Sequence, residues 1–264
     1  MKRLFGLVLT VGLFLAGCGA SQSGQETGGS TNQTLQIGAT GQSFPNSYLE
    51  GDKLVGYDVE VAEKIAENLG YEVEWTTASF DGLMGQLETK RLDTIANNFA
   101  GTPKRAEAYA FSDPYNYAYT GIGVLADSSY QSIADLEGQT IGGVFGSNKT
   151  EALNKYIEDH GANINVKTYE NREGAELDVS QGRNAGFVQD AANIEANIAQ
   201  KKAPFRVLLV KDIPHDNIVF PFADDEEGRA LRDQFNQELE KLRADGTLKA
   251  LSEKYYGIDV TEER

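Results

Sequence analysis

Between Leu35 and Val188 short apolar runs alternate with longer segments of helical period, and that alternation restricts the fold more than any other feature. Leu35 to Ala39 reads as a strand, followed by a loop rich in turn residues (Gly41, Pro45, Asn46). From Asp58 to Leu69 the spacing is helical. Ala62, Ile65, Ala66 and Leu69 share one face, Glu60, Glu63, Lys64 and Glu67 lie outside it, and Gly70 stops the helix. Tyr71–Thr76 reads as a strand, Phe80–Thr89 as a helix and Leu92–Ala96 as a strand. An extended aromatic and aliphatic run from Tyr115 to Ala126 interrupts the series, which then resumes. Thr140–Val144, Val166–Tyr169 and Ala185–Val188 read as strands, with helices beginning near Lys149 and spanning Gly174–Gln181. Strand–helix alternation is the signature of parallel sheets covered on both faces, and two such series joined by long extended connections predict two α/β lobes. Leu231, Phe235, Leu239 and Leu242 keep helical register in a segment predicted to be helical from Asp224 to Tyr256, where the acidic start at Asp224–Glu227 suits the positive end of a helix dipole.

The N-terminus reads as an address. Lys2 and Arg3 precede an apolar stretch, Leu4 to Leu15, that is shorter than the roughly 20 residues a spanning helix needs. This is the layout of a signal peptide. It ends in Leu15-Ala16-Gly17-Cys18, which resembles the bacterial lipobox, in which the cysteine is lipidated and becomes the first mature residue. Cys18 is the single cysteine, so an internal disulfide and a thiol nucleophile elsewhere are excluded. Gly, Ser, Gln, Thr and Asn dominate the stretch to about Thr34, a flexible linker composition. No second apolar run reaches spanning length, so the remainder is expected to be soluble and tethered only by lipid. A formal net charge of −16 argues against nucleic acid or an anionic lipid surface as partner.

Six short markers stand in order behind this leader. They are Gly56-Tyr57-Asp58-Val59, Leu92-Asp93-Thr94-Ile95, Thr102-Pro103-Lys104-Arg105, Phe111-Ser112-Asp113-Pro114-Tyr115, Asp135-Leu136-Glu137-Gly138 and Leu242-Arg243-Ala244-Asp245-Gly246-Thr247-Leu248. Together they resemble the polar amino-acid family of bacterial extracellular solute-binding proteins, the capture subunits of ABC importers. The resemblance implies a two-lobed periplasmic-binding-protein type II fold hinged by two crossing segments. It divides the chain into a signal peptide (1–17), a lipidated linker (18–34), lobe 1 (35–123), lobe 2 (124–216) and a return to lobe 1 (217–264). It also implies an extracytoplasmic, lipid-anchored monomer, a small amino acid as ligand, an ABC permease as partner and no cofactor.

The chemistry of an α-amino acid states what such a site requires. A carboxylate favours a planar bidentate donor, and the resemblance puts Arg105 in that role, a surface arginine after a turn being the other reading. An ammonium needs a charged acceptor, which the resemblance assigns to Asp190; that residue is equally suited to capping the next helix. Ser147 and Asn148 fall at a turn before a helix, where free N–H groups and the dipole attract an anion. Ser147 also suits an ordinary N-cap. Phe80 matches a ligand-facing aromatic, with a core phenylalanine as the alternative. Where the family commonly carries Gly-Met-Thr, this chain has Asn98-Phe99-Ala100, leaving the Ala100 backbone N–H and the Asn98 carbonyl to serve. Ala96-Asn97-Asn98 resembles the cystine-binding branch, and Ser147-Asn148 and the Gln42–Tyr48 loop point the same way. The first-lobe aromatic falls on Ser43 or its neighbour Phe44.

Two other functions stay open. Some dehydratases resemble these proteins, but His160 precedes Gly161 in a polar helix end, His215 lies in Pro214-His215-Asp216, and no His-Glu metal spacing occurs. An adhesin or sensor would use the same domain.

Overall fold

The computed structural model describes residues 33–263, so the expected leader, Cys18 and nearly all of the linker lie outside the described residues. Among the described residues no helix is long and apolar enough to cross a membrane.

Strand β1 (Thr34–Ala39) buries Leu35, Ile37 and Ala39. The turn-rich stretch that follows, expected as a loop, forms a small antiparallel sheet of β2 (Gln42–Ser43), β3 (Ser47–Glu50) and β4 (Lys53–Val55). Gly51, at φ 61°, makes its hairpin turn. Helix α1 (Tyr57–Leu69) buries Val61, Ala62, Ile65 and Ala66 and ends at Gly70, whose left-handed N–H reaches the Ala66 and Glu67 carbonyls. Its start requires glycine. Gly56 sits at φ 136°, ψ 174°, and a Cβ there would lie 2.2 Å from the Asn46 carbonyl oxygen. Strand β5 (Glu72–Thr77), helix α2 (Phe80–Glu88) and the two-residue β6 (Thr94–Ile95) complete a parallel sheet of order β5-β1-β6. Ser79 caps α2 through the Gly82 amide.

The chain then runs through β7 (Tyr109–Phe111) and β8 (Asn116–Ala118) and, one residue later, enters β9 (Thr120–Leu125) of a second sheet. There follow β10 (Thr140–Val144), α3 (Asn148–His160), β11 (Asn165–Tyr169), α4 (Arg172–Ser180), β12 (Gly186–Asp190), α5 (Ala191–Lys201) and β13 (Phe205–Leu209). The order is β11-β10-β12-β9-β13. The first three strands are parallel, as expected, but β9 is antiparallel to both its neighbours. The sheet is therefore mixed. β9 arrives straight from the first lobe with no helical crossover to turn it, and only parallel pairing demands one. Ile122, Val124, Ile141, Leu153 and Val188 pack on one face, and Val179, Phe187, Ile194 and Phe205 on the other.

The return pass carries β14 (Asp216–Ile218) onto β8 and β15 (Pro221–Ala223) onto β7. The expected lobe boundaries at 123/124 and 216/217 fall inside β9 and β14; sheet membership puts the crossings at Tyr119 and at residues 210–215. The C-terminal segment is two helices, α6 (Glu226–Ala244) and α7 (Thr247–Tyr256), because Gly246 at φ 80° breaks the run. Both pack with α1 around Phe220, Phe222, Phe235, Leu239 and Tyr256, which returns the chain to the first lobe's core.

Gly56→Ala is expected to lose about 1–3 kcal/mol from the backbone alone, since this φ/ψ region is essentially confined to glycine. Urea unfolding checks it: the midpoint falls while the slope stays the same.

Candidate functional site

In open α/β sheets ligands lie outside the carboxyl ends of the strands. Both parallel sets here end on one cleft of about 570 Å³. From the first lobe come Thr40 after β1, Thr77 to Phe80 after β5, Asn97, Asn98 and Arg105 after β6, and Gln42, Ser43 and Leu49 from the small sheet. The second lobe supplies Val144 to Lys149 after β10, Glu170 to Glu173 after β11, and Val188 to Asp190 of β12.

Arg105 opens a short 3₁₀ turn, its backbone N–H donating to Thr102 Oγ1. Its Nη1 donates to the Ala100 carbonyl at 3.0 Å, and its guanidinium carbon lies 4.5 Å from the Phe99 ring centre and 5.3 Å from that of Phe80. Burial pushes the guanidinium down from its ordinary value, though Glu151 and Asp216 oppose this. No carboxylate among the described residues forms an ion pair with it. A planar cation stacked on two aromatic faces, with nitrogen donors to spare, is built to receive an anion.

Asp190 faces Arg105's lobe from the end of β12. It occupies the N-cap position of α5 but makes no capping bond. Its Oδ2 instead accepts from Asn98 Nδ2 across the cleft. Its Oδ1 lies 3.0 Å from Lys149 Nζ and outside hydrogen-bond geometry, so this buried oxygen lacks an aligned donor. Burial alone would push the Lys149 ammonium down; Asp190 and Asp216 outweigh it and hold the group above its ordinary value.

Asn98 reaches Asp190 because its backbone is left-handed, at φ 51°. Its N–H donates to Asp58 Oδ2, and its side-chain oxygen accepts from Asn46 Nδ2. Asn97 turns away, its Oδ1 accepting from Thr40 and Ser47. Asp58 is fully buried, and desolvation, only partly opposed by the Asn98 N–H, lifts its carboxyl to about 6.

Ser147 caps α3 by accepting from the Thr150 amide, so the N-terminal end of that helix opens on the cleft. Asn148 donates to Asp216 at 2.6 Å. Phe80 is half-buried and lines the cleft rather than joining a core cluster. Ser43 lines it too, whereas the Phe44 ring packs edge-on against Tyr48 with Lys201 Nζ 3.7 Å above it. Phe44 contributes its carbonyl instead, which accepts from Arg172 of the opposite lobe at 3.3 Å. Ala100 is buried behind the wall and meets the site through its carbonyl, as Arg105's acceptor. His160 and His215 lie outside the cleft, stacked on Tyr156 and packed against Tyr117 and Tyr119 respectively.

Sequence reasoning missed Lys149, Asp58, Asp216 and Arg172. A signal existed for Asp58, which occupies the apolar face of α1 four residues before Ala62. Lys149 carried none, since a buried lysine and a solvated one look alike in a sequence. Two exposed apolar side chains, Leu49 and Phe145, stand on opposite lobes of the cleft.

The family model described as bacterial extracellular solute-binding proteins, family 3, matches residues 35–258. The chain belongs to this family. This family 3 protein is similar to the probable amino-acid-binding protein YxeM of Bacillus subtilis, at 41% identity over 265 residues covering 100% of this chain and 99% of that one. The L-cystine-binding protein TcyJ of the same organism is 32% identical over 269 residues, 99% of this chain and 98% of TcyJ. A solved structure described under glutathione import via GshT and the cystine ABC importer TcyBC of Streptococcus mutans aligns with a TM-score of 0.78 at 26% identity. It covers 88% of this chain and 98% of its own. The fold of the family 3 protein is thus the two-lobed one its sequence predicts.

Folded Asp58 keeps its proton to higher pH than an unfolded aspartate, so between about pH 4 and pH 6 folding takes up a proton and stability falls as pH rises. In Asp58→Asn the amide oxygen still accepts from Asn98 and the titration is gone. Relative to wild type, the variant is expected to gain about 2 kcal/mol between pH 4 and pH 7, measured by urea unfolding at both.

Proposed function

We propose that this protein is the lipid-anchored, extracytoplasmic capture subunit of an amino-acid ABC importer, which closes over a polar amino acid, L-cystine in our reading, and delivers it to the permease. One observation carries the proposal: an unpaired, aromatic-stacked Arg105 on one lobe faces a cleft whose other lobe presents a buried carboxylate, Asp190, one of whose oxygens is paired with Lys149 but has no aligned hydrogen-bond donor. An α-carboxylate on the first and an α-ammonium on the second would satisfy both, with the N-terminal end of α3 assisting the carboxylate. Contacts to both lobes at once give the ligand its preference for the closed arrangement. Cystine enters through the Asn97-Asn98 run, through similarity to a cystine-binding relative, and through a cleft with further charged groups, Arg172, Glu170 and Glu173, for a second amino-acid head. Those same glutamates favour a second reading, a ligand with a cationic side chain such as arginine. The Cys18 tether supports extracytoplasmic anchoring; mass spectrometry of the mature N-terminus tests that separately.

Calorimetry of the purified protein against L-cystine, L-arginine and neutral amino acids decides the ligand. Strong binding of cystine supports our reading, preferential binding of arginine replaces it with the second, preferential binding of a neutral amino acid rejects both ligands, and binding of none rejects the amino-acid site. Arg105→Ala is expected to weaken the bound ligand about ten- to hundredfold, the cost of losing charge-assisted hydrogen bonds, and Asp190→Asn to act in the same direction. An affinity unchanged by both would reject the residue roles.

A further inference from the structure

Lys149 is 5% exposed, on the first turn of α3. Its ammonium touches four separate strands. It donates to the Ala118 carbonyl at 2.8 Å, at the end of β8, and to Thr120 Oγ1 at 3.2 Å, at the start of β9. Those two residues flank the outgoing crossing. The return crossing leads into Asp216, whose Oδ2 lies 2.7 Å from the same nitrogen. The fourth neighbour is Asp190 of the cleft.

A buried ammonium is tolerated here only because it is paired and hydrogen-bonded, and the two carboxylates depend on it in turn. The group of three charges is also unbalanced. Lys149 contributes one positive charge, Asp190 and Asp216 one negative charge each, and the sum is minus one. That excess lies beside Asp190 Oδ1, the oxygen without an aligned donor. A ligand ammonium there neutralises the cluster and shares Asp190 with Lys149. The strength of Lys149's hold on the two crossings then depends on whether Asp190 is occupied.

We propose that Lys149 is a positioning residue that couples ligand capture to lobe closure, its ammonium tying the cleft carboxylate Asp190 to both crossing segments. This rests on the reading of the cleft as an amino-acid site. Lys149 acts through Asp190 and the hinge, so its loss alters how far the lobes close as well as how tightly the ligand is held.

The test measures affinity and closure together, with L-cystine and L-arginine as probes. Spin labels at Lys64→Cys on α1 and Lys155→Cys on α3, both exposed, report the distance between lobes in a Cys18→Ser background, and calorimetry gives the affinity. Lys149→Met is expected to bind about 5–150-fold more weakly, the usual span of a coupling between sites, and to show a smaller distance change at saturation. Lys149→Arg restores most of both. Asp216→Asn weakens binding in the same direction, and its effect adds less than fully to that of Lys149→Met. A merely structural lysine would lower the urea midpoint while leaving affinity and distance change intact in the folded fraction; that result overturns the proposal. If Lys149→Met does not fold, Asp216→Asn takes its place, and wild-type affinity with a wild-type distance change in that variant overturns it equally. Absence of any wild-type binding sinks the amino-acid reading and this proposal with it, whereas wild-type binding with an indifferent Lys149→Met sinks this proposal alone.

Discussion

A carboxylate removed from water must be compensated, and the arrangement of both lobes around the cleft follows from how Asp190 meets that demand. Asn98 reaches it from the first lobe, Lys149 from the first turn of α3 in its own lobe. Asn98 can extend that far only in a left-handed conformation, which asparagine tolerates better than most residues. The conformation is held by Asp58, itself fully buried, which accepts the Asn98 N–H. Asp58 stands where it does because α1 begins one residue earlier, against a glycine that lets the chain pass the Asn46 carbonyl. A backbone requirement at Gly56 is thereby linked through two buried carboxylates to the floor of the cleft. Along this line, stability has been exchanged for placement.

The fold was legible wherever periodicity and chain reversal coincide. Ala62, Ile65 and Ala66 announce α1, Gly70 ends it, and the parallel strands β5, β6, β11 and β12 each follow a helix. What escaped lacks that redundancy. The strands β2 to β4 are two to four residues long, too short for alternation to register against Gly, Pro and Asn. The sense of β9 is a property of where the chain comes from and not of its residues, since Thr120–Leu125 would read the same in either direction. The single C-terminal helical run was split by a glycine whose effect depends on a positive φ that periodicity does not record.

At the site, residue types with one evident chemical use were legible and those defined by their surroundings were not. Arg105 stands in a marker and Asp190 at the end of a predicted strand, positions where a charged side chain draws notice, and the structure brings both to one cleft. Ser43 and Phe44 illustrate the reverse: neighbours on an irregular stretch face opposite ways, and here the small polar side chain enters the cleft while the aromatic ring turns beneath Lys201. Lys149 is the extreme case, because its importance resides in four contacts from four different segments.

Tyr119 alone separates β8 from β9, so the two sheets are joined on the outgoing pass by the torsions of a single residue. Such a joint resists sliding and yields to rotation. Asp190 lies beside it, paired with Thr120, and the amide that follows donates to the Tyr119 carbonyl. Asp190 therefore sits close to this joint, where a rotation displaces atoms least. Leu49 and Phe145, exposed on opposite lobes, line the same cleft. A turn about Tyr119 would open or narrow the gap between the two apolar rims on opposite lobes while leaving Thr120 and Asp190 side by side, because their pairing lies within one sheet.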